Sequence, residues 1–380
     1  MNRYYIFIIC FFLSLAMISR ASDKVYHAVV AADGSGEYTS VQAAINAVPE
    51  YNLCQHLIFI KAGIYKEHVF IPQSKGRLSL IGEGSDRVFI TDNKKSGGPE
   101  AIPVDKGATV VVHANDIVFQ GISIVNAYGV EAEDGPQALA LYAKGDRIAL
   151  DHCAILSYQD TYRTSEADNG RNYVSHSLIL GAVDFIYGSG NAWLEQCTIK
   201  INRKSGGWIV APKHKPETRW GYVFNHCTLT ADGNPKETTI WLGRPWHHQP
   251  QTVFLNTRSE ITLPAEGWYP TMAGLPSVFA EYNTMDADGK PLDLSKRINR
   301  YYRKNEKKDT VWCTAKNVLT KEEAEQYTVE AVMGGDDQWN PELIFMPTEK
   351  PIGYVTIDGK LLPVNQYGCF ERSKKELFSL

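Results

Sequence analysis

The chain has 380 residues, with 39 Lys and Arg against 43 Asp and Glu and a formal net charge of −4. This acidic balance argues against a nucleic-acid partner. Length alone suggests two domains, but repetitive β folds often run this long as one unit. The seven cysteines include no C-x-x-C pair and no Cys and His at zinc-finger spacing, so we expect no structural metal site.

The first 21 residues have the features of a cleaved secretory signal. Asn2 and Arg3 form a short basic start, residues 4–18 are almost wholly apolar, and Ser19-Arg20-Ala21 places small residues at the cleavage position. A membrane anchor is the alternative, but about 15 apolar residues fall short of the roughly 20 that span a bilayer. We therefore expect export to the periplasm or the medium without a stable membrane anchor.

A helix is predicted before the repeats begin. Thr39-Ser40-Val41-Gln42 resembles a capping box, and Pro49 stops the segment. The apolar positions at helical spacing are Val41, Ala44, Ile45 and Val48. We expect this helix to cap the N-terminal end of the fold.

One pattern of apolar residues, a polar pair, a small residue and further apolar residues recurs through the middle of the chain. The copies are 117–124 (IVFQGISI), 148–155 (IALDHCAI), 173–180 (YVSHSLIL), 193–199 (WLEQCTI), 222–229 (YVFNHCTL) and 253–257 (VFLNT). The small residues that we take as equivalent are Gly121, Cys153, Ser177, Cys197 and Cys227. Their intervals of 32, 24, 20 and 30 residues indicate coils with loops of variable length.

These short strands predict the fold class. A strand that returns every 20 to 30 residues cannot bury its apolar face alone, so successive copies must stack in parallel. The sequence therefore predicts an all-β chain, a right-handed parallel β-helix built as a single-stranded solenoid. A doubly wound α/β domain would need amphipathic helices between the strands, but the intervals hold mostly Gly, Asn, Asp and Ser. For Cys153, Cys197 and Cys227 a stacked interior column is favoured over a disulfide.

Two segments within the coils carry polar residues that packing does not explain, 158–161 (YQDT) and 183–188 (VDFIYG). Asp184 lies in an apolar, strand-like run, where an unpaired charge is costly. Its candidate partner is Arg244, in the segment 242–246 (LGRPW). Taken alone, a strand aspartate near an arginine is more often structural than catalytic.

Two elements are predicted after the repeats. Thr320–Glu323 forms a second capping box and opens a helix that includes Ala324 and Tyr327. We expect this C-terminal helical and loop region to pack on the solenoid. Residues 354–364 predict a hairpin around Asp358-Gly359. The domain division is a signal peptide at 1–21, a β-helix catalytic domain at 22–341 and a C-terminal extension of unknown role at 342–380.

Five motifs occur in the order and at the approximate spacing of one enzyme family. They are 63–67 (GIYKE), 137–141 (QALAL), 159–161 (QDT), 184–188 (DFIYG) and 242–246 (LGRPW), and 30–36 (VAADGSG) and 279–282 (FAEY) agree with them. Over about residues 28–340 the chain thus resembles the pectin methylesterases, carbohydrate esterase family 8. The resemblance implies hydrolysis of the methyl esters of homogalacturonan to pectate and methanol, without a metal or other cofactor.

The resemblance also implies a role for each of five residues. Asp184 would be the nucleophile, kept ionised by Arg244 because a nearby cation favours the charged carboxylate. The side-chain amides of Gln137 and Gln159 would hold the tetrahedral oxyanion. Asp160, close to a second carboxylate, would be pushed towards its neutral form, protonate the departing methanol and then act as a base towards water.

Aromatic side chains suit the faces of sugars, and the resemblance points to Trp246, Tyr187 and Trp268 as walls of the cleft. Each of the three has an alternative interpretation as a core residue. Pectin polysaccharide is the expected partner. A monomer is expected, although the sequence does not reveal the oligomeric state.

Arg163 departs from the family pattern. A Leu-Tyr pair usually follows the QDT motif, and this chain has Tyr162-Arg163 instead. Arg163 would then occupy the place of a cleft aromatic and bind a free carboxylate of the polymer. The alternative is that Arg163 pairs with an acid on the following loop, such as Glu166 or Asp168.

Other functions stay open at this stage. A pectate lyase needs clustered carboxylates for calcium and a basic residue to take the C5 proton, and a polygalacturonase needs a tight set of acids around a water. Neither pattern is recognisable in the sequence. A non-catalytic solenoid that binds polysaccharide through aromatic residues is a further alternative, against which the presence of Asp160 and Asp184 argues.

Overall fold

The computed structural model describes residues 26–96, 102–131, 137–345, 352–355 and 361–364. The predicted signal segment, 1–21, lies outside the described residues. Among the helices in the described ranges, none is both long enough and apolar enough to cross a bilayer.

The described chain winds into coils whose strands stack in three parallel sheets, here called A, B and C. Sheet A contains β1 (Ala28–Val30), β2 (His56–Ile60), β5 (Leu78–Gly82), β8 (Ile117–Gln120), β11 (Ile148–Asp151), β14 (Arg171–Ser175), β17 (Asn191–Glu195), β20 (Tyr222–Asn225), β23 (Gln251–Leu255), β25 (Val278–Tyr282) and β28 (Lys316–Val318). Sheet B contains β3 (Gly63–Lys66), β6 (Val88–Asp92), β9 (Ser123–Asn126), β12 (Ala154–Leu156), β15 (Leu178–Gly181), β18 (Thr198–Ile201), β21 (Thr228–Ala231) and β24 (Arg258–Ser259). Sheet C contains β4 (Val69–Ile71), β7 (Val110–Val112), β10 (Leu141–Ala143), β13 (Tyr162–Arg163), β16 (Ile186–Gly188), β19 (Ser205–Pro212) and β22 (Thr239–Gly243).

The strand register confirms the predicted parallel β-helix. Leu150 of β11, for example, pairs in parallel with Phe119 of β8 and with Val174 of β14. Each repeat identified in the sequence supplies a strand of sheet A, and most copies continue around a corner into sheet B. Fully buried side chains stack along the interior, as do the rings of Phe224 and Phe254, whose centroids lie 4.3 Å apart.

The corner between sheets A and B explains the polar pair of the repeat. In five of the six copies the residue at this corner adopts a left-handed backbone conformation, which Asn and His adopt more readily than β-branched residues. His152, His176, Gln196, His226 and Asn256 have φ values between 45° and 51°.

The first copy of the repeat aligns differently from our expectation. The register places Ile117 beside Ile148 and Ser123 beside Ala154. Gly121, with φ 64°, therefore matches the left-handed His152 rather than Cys153. A glycine suits that corner for conformational reasons, and this accounts for its appearance near the small-residue position.

The interior column of small residues is confirmed. Cys153, Cys197 and Cys227 are buried free thiols, and the backbone N–H of Cys153 donates to Ser177 Oγ at 3.0 Å. Burial raises the pKa of Cys153 to about 12. These thiols therefore act as small apolar groups between the coils.

The predicted N-terminal helix is α1 (Val41–Ala47). Its N-cap is Ser40 rather than Thr39, because the Ser40 hydroxyl accepts from Ala43 N–H at 3.1 Å. Glu67 accepts from the first two backbone N–H groups of the helix at 2.8 and 2.9 Å. The helix buries its apolar side against β1 and β4 and caps the solenoid.

The remaining helices are short. They are α2 (Val104–Gly107), α3 (Ala127–Glu131), α4 (Lys321–Ala324), α5 (Val329–Met333) and α6 (Glu342–Phe345), with 3-10 turns at Gln73–Lys75 and Pro235–Glu237. The capping box of Thr320 and Glu323 is present, but α4 ends at Ala324 and does not include Tyr327. As predicted, this region packs on the outer face of sheet A, where Val332 and Met333 belong to the same buried cluster as Trp193 and Val223.

Two antiparallel hairpins accompany the solenoid in the described residues. β26 (Arg300–Lys304) pairs with β27 (Thr310–Thr314). β29 (Ile352–Val355) pairs with β30 (Leu361–Val364), which confirms the predicted C-terminal hairpin. Its expected turn, Asp358-Gly359, lies outside the described residues.

A buried ion pair joins the late coils. Arg297 Nε donates to Glu281 Oε1 at 2.6 Å, and the two side chains are 4% and 0% exposed. Arg297 Nη1 also donates to the carbonyls of Pro264 and Ala265 at 3.1 and 3.0 Å. The pair thus connects β25 to the loop that follows β24.

Replacing Arg297 by Met should strongly destabilise the fold, since it leaves the Glu281 carboxylate buried without its cation. We expect the free energy of unfolding in guanidinium chloride to fall by about 3–5 kcal/mol. The exposed pair of Lys321 and Glu325, 3.7 Å apart, provides the control, because Lys321→Met should cost at most about 1 kcal/mol. An Arg297→Met protein as stable as the wild type would contradict this role.

Candidate active site

The corner between sheets B and C brings two aspartates together. Parallel bridges join Gln137 to Gln159 and Gln159 to Val183, so Asp160 and Asp184 occupy equivalent positions on adjacent coils. Asp160 N–H donates to the Val183 carbonyl at 3.1 Å. Equivalent residues of neighbouring strands lie about 4.8 Å apart, which places the two carboxylates within electrostatic reach of each other.

Asp184 is held by Arg244. The Asp184 side chain is buried, and Arg244 Nε donates to its Oδ1 at 2.9 Å while Nη2 donates to its Oδ2. The Arg244 guanidinium lies over the ring of Trp208, 3.6 Å from its centroid. Gly243, the residue before Arg244, allows β22 to pair closely with β19, because a Cβ there would lie 2.3 Å from a Val210 methyl group. The carboxylate and its cation are therefore fixed in one orientation.

The environments of the two carboxyl groups differ. Burial and the charge of Asp184 raise the pKa of Asp160 to about 8. Burial also raises the pKa of Asp184, and Arg244 opposes that rise through its hydrogen bonds and its charge. Asp160 accepts instead from the neutral amide of Gln137, Nε2 to Oδ2, at 3.0 Å. The surroundings therefore favour the protonated form of Asp160 more than that of Asp184.

The two glutamines border the aspartate pair. Gln137 and Gln159 are bridged neighbours on adjacent coils, and both are partly exposed. Gln137 already directs its amide group at Asp160. Both side-chain amides can therefore direct N–H donors to the side of the corner on which the carboxylates lie.

Arg163 adopts the second of its two predicted arrangements. Its Nη2 donates to Glu166, which also accepts from Lys213 Nζ at 3.0 and 3.2 Å. The guanidinium carbon lies 4.7 Å from the ring centroid of Tyr142 and 5.6 Å from that of Tyr187. Arg163 is thus enclosed by an acid and two rings, and its charge also lowers the pKa of Asp160.

Two of the three predicted aromatic residues lie together. The rings of Tyr187 and Trp246 meet edge to face with centroids 5.6 Å apart. Lys213 Nζ lies 5.5 Å from the Trp246 centroid. Trp246 is partly exposed, whereas Tyr187 is buried beneath it.

The prediction for Trp268 is wrong. Its side chain is fully buried and stacks on Phe279 with centroids 4.4 Å apart, so it does not line a cleft. The neighbouring Tyr269 is the partly exposed residue, and its ring packs against Trp208 at 5.3 Å and Trp241 at 5.5 Å. Adjacent residues of an extended chain point in opposite directions, so Trp268 turns into the interior while Tyr269 turns towards the surface.

Sequence reasoning also missed Trp208. Its carbonyl accepts from Asp184 N–H at 2.8 Å, which places it one coil beyond Asp184, and its ring supports Arg244. The pair Gly206-Gly207 before it would have indicated a corner of the solenoid. Counting one coil on from Asp184 would then have identified Trp208 as a neighbour of the site.

One cluster in the described part of the chain could hold a metal ion. Asp151, His152 and His176 place ligand atoms within 4.8 Å of one another. They lie at the corner between sheets A and B, whereas Asp160 and Asp184 lie between sheets B and C. The cluster is therefore separate from the paired carboxylates.

Comparisons with known proteins agree with this geometry. The Pectinesterase family model matches residues 27–336. A pectinesterase of Petunia integrifolia is 32% identical over 340 residues, which is 86% of this chain and 83% of that protein. A probable pectinesterase A of Aspergillus fumigatus is 33% identical over 69% of this chain and 79% of its own length. The solved pectin methylesterase from carrot matches with a TM-score of 0.71 and 26% identity, covering 86% of this chain and 99% of the carrot chain. The chain therefore belongs to the pectinesterase (pectin methylesterase) family and is a carboxylic ester hydrolase.

Proposed function

We propose that the protein hydrolyses the methyl esters of homogalacturonan, with Asp184 as the nucleophile and Asp160 as the general acid and base. The observation that carries this proposal is the carboxyl pair on adjacent coils, one bound by Arg244 and the other favoured in its protonated form. Its products are methanol and pectate. Methanol release from methylated homogalacturonan, without shortening of the polymer and without unsaturated ends, tests the proposal; depolymerisation would indicate a lyase or a polygalacturonase instead.

The first half-reaction forms an acyl-enzyme. An oxygen of Asp184 attacks the ester carbonyl, and the electron pair of the C=O bond moves to its oxygen. The amides of Gln137 and Gln159 donate to that oxyanion, as preorganised donors do in other acyl transfers. When the tetrahedral intermediate collapses, the bond to the methoxy oxygen breaks and Asp160 supplies the proton that turns the leaving group into methanol.

The second half-reaction restores the enzyme. Asp160, now ionised, takes a proton from water while the water oxygen attacks the galacturonyl carbonyl of the anhydride. The bond to Asp184 breaks and its carboxylate returns to Arg244. The galacturonic acid leaves, and Asp160 is again protonated. Asp160 and Asp184 perform opposite tasks because their environments differ.

The proposal extends to the surroundings of the site. Trp246 lies above Tyr187 and is partly exposed. Its ring would contact the face of a sugar. The acidic balance of the chain argues against nucleic acid as a partner. Export through the leader, to the periplasm or the medium, would bring the enzyme to its polymeric substrate.

We also propose that Arg163 recognises an already demethylated galacturonate. The guanidinium lies between Tyr142 and Tyr187, and the Arg163 side chain is 15% exposed. A carboxylate of the polymer could accept from it. The alternative is that Arg163 only holds the Glu166 loop in place.

Replacing Asp184 by Asn should remove nearly all turnover, because a neutral amide cannot form the anhydride. Methanol release is measured with thermal unfolding as a check on folding, and Asp232→Asn on the exposed surface is the control. Asp160→Asn should lower kcat by about 10²–10⁴-fold. Substantial turnover by a folded Asp184→Asn protein would exclude Asp184 as the nucleophile.

The pH dependence of kcat/KM should show an alkaline limb that reflects Asp160. Release of methanol needs protonated Asp160, so activity is present below its pKa of about 8 and falls as the pH rises through that value. Because the Arg163 charge lowers this pKa, Arg163→Met should move the limb to higher pH, while Lys215→Met, on the exposed surface, should not. The same limb in the residual activity of Asp160→Asn would contradict the assignment.

Substrate preference should separate the two roles of Arg163. If it binds a free carboxylate, Arg163→Tyr should reduce any preference for partly demethylated over fully methylated pectin, and it should weaken the salt dependence of kcat/KM. Glu166→Gln is the matched control, because it frees the guanidinium without removing it. Unchanged relative kcat/KM for Arg163→Tyr on the two substrates would show that Arg163 does not contact the sugar.

A further inference from the structure

The segment that contains the β26–β27 hairpin is strongly basic. Residues 296–316 carry eight Lys and Arg against two acidic residues, although the whole chain has a net charge of −4. Five of these cations lie on the hairpin itself: Arg300, Arg303, Lys304, Lys307 and Lys308. A local cationic surface on an acidic protein indicates an anionic ligand more strongly than the same surface on a basic one.

The outward face of the hairpin combines aromatic rings with cations. Tyr302 pairs directly with Trp312 across the strands, and their ring centroids are 4.9 Å apart. Trp312 is 52% exposed, and the Arg300 guanidinium lies 4.8 Å from its ring centroid. Rings of this kind bind sugar faces, and a guanidinium beside them suits a carboxylate.

The hairpin is firmly anchored through its other face. Tyr301 is fully buried and meets Phe279 edge to face at 5.6 Å. The outward residues are therefore presented by a fixed support.

The hairpin cations are available to a ligand. Within the described ranges, Arg300, Arg303, Lys304, Lys307 and Lys308 make no ion pair with an acidic side chain. Within the same ranges neither acidic residue of the turn, Glu306 or Asp309, makes an ion pair, and Asp309 accepts from Asn305 Nδ2 at 3.2 Å. Five cations without an acidic partner in a short segment repel one another, and a polyanion would relieve that repulsion.

The hairpin lies along the solenoid from the catalytic pair. Tyr302 N–H donates to the Pro270 carbonyl at 3.0 Å and Tyr302 bridges to Thr271. The preceding Tyr269 packs on Trp208 and Trp241 beside Arg244. Successive neighbours along the solenoid are β16, β19, β22, Tyr269 and Tyr302. Four strand spacings separate the first from the last, so Tyr302 lies about 19 Å along the solenoid from β16.

We propose that the β26–β27 hairpin binds a demethylated stretch of the same polygalacturonate chain whose methyl ester occupies the active site. Tyr302 and Trp312 take the sugar faces, and Arg300 with Lys304 takes the carboxylates. This inference rests on the proposed function, and it differs from the role of Arg163, which lies beside Asp160. Binding a demethylated stretch at a distance would favour polymers that are already partly de-esterified and would hold them near the catalytic pair.

The test is the binding of fully demethylated oligogalacturonates of about ten sugar units to Asp184→Asn protein by isothermal titration calorimetry. In this background Trp312→Ala, and separately Arg300→Gln with Lys304→Gln, should weaken binding about fivefold or more. The charge variant should also reduce the salt dependence of Kd. Tyr51→Ala, which removes another exposed ring, and Lys66→Gln with Lys321→Gln are the matched controls and should bind as the background protein does.

Equal Kd values for the hairpin variants and their controls would overturn the inference, as would the absence of oligogalacturonate binding. Thermal unfolding of each variant shows whether a loss of binding reflects a loss of folding. If Trp312→Ala is unstable, the variant with Arg300→Gln and Lys304→Gln tests the inference instead. Failure of the proposed function is distinguishable. A wild-type protein that releases no methanol but binds oligogalacturonate through Trp312 would refute the esterase and support the hairpin site.

Discussion

Hydrogen bonding between successive coils holds equivalent residues about 4.8 Å apart, and the chemistry of the site depends on that spacing. Asp160 and Asp184 are equivalent residues of neighbouring coils, as the bridge from Gln159 to Val183 shows. Two carboxylates at this separation do not ionise independently. Arg244 breaks their equivalence by binding Asp184. A repeating fold, which would otherwise present the same group twice, thus places two carboxyl groups in different surroundings.

Much of this arrangement could be predicted from the sequence, because the residues within each repeat determine its strand and its corner. Strand, polar pair and small residue recur within eight residues, so the parallel solenoid follows without knowledge of distant contacts. The same holds for α1 and for the capping box of α4, whose determinants lie within a few residues. Asp184 was identifiable because a charge in an apolar run requires a partner.

The features that the sequence did not reveal have a common cause. In each case the position of a side chain depends on a contact between segments that are distant in the sequence. Trp268 and Tyr269 are adjacent, and only the packing of Phe279 decides which ring turns inward. Trp208 becomes part of the site through the register between β16 and β19, and the Gly206-Gly207 corner is the local mark of that register in the sequence. The pairing of Arg163 with Glu166 was one of two open alternatives, and the sequence did not reveal that Lys213 shares the same carboxylate.

The backbone conformation of the two aspartates follows from the same solenoid geometry. Asp160 and Asp184 have φ values of 60° and 49°, which lie in the left-handed region that costs free energy for most residues. The corner between sheets A and B uses the same conformation at His152, His176 and His226. The left-handed aspartates are therefore an ordinary means of turning a coil rather than strain specific to catalysis. Asparagine tolerates this conformation as aspartate does and alanine does not, so an amide replacement at either position tests the carboxylate chemistry without disturbing the turn that positions it.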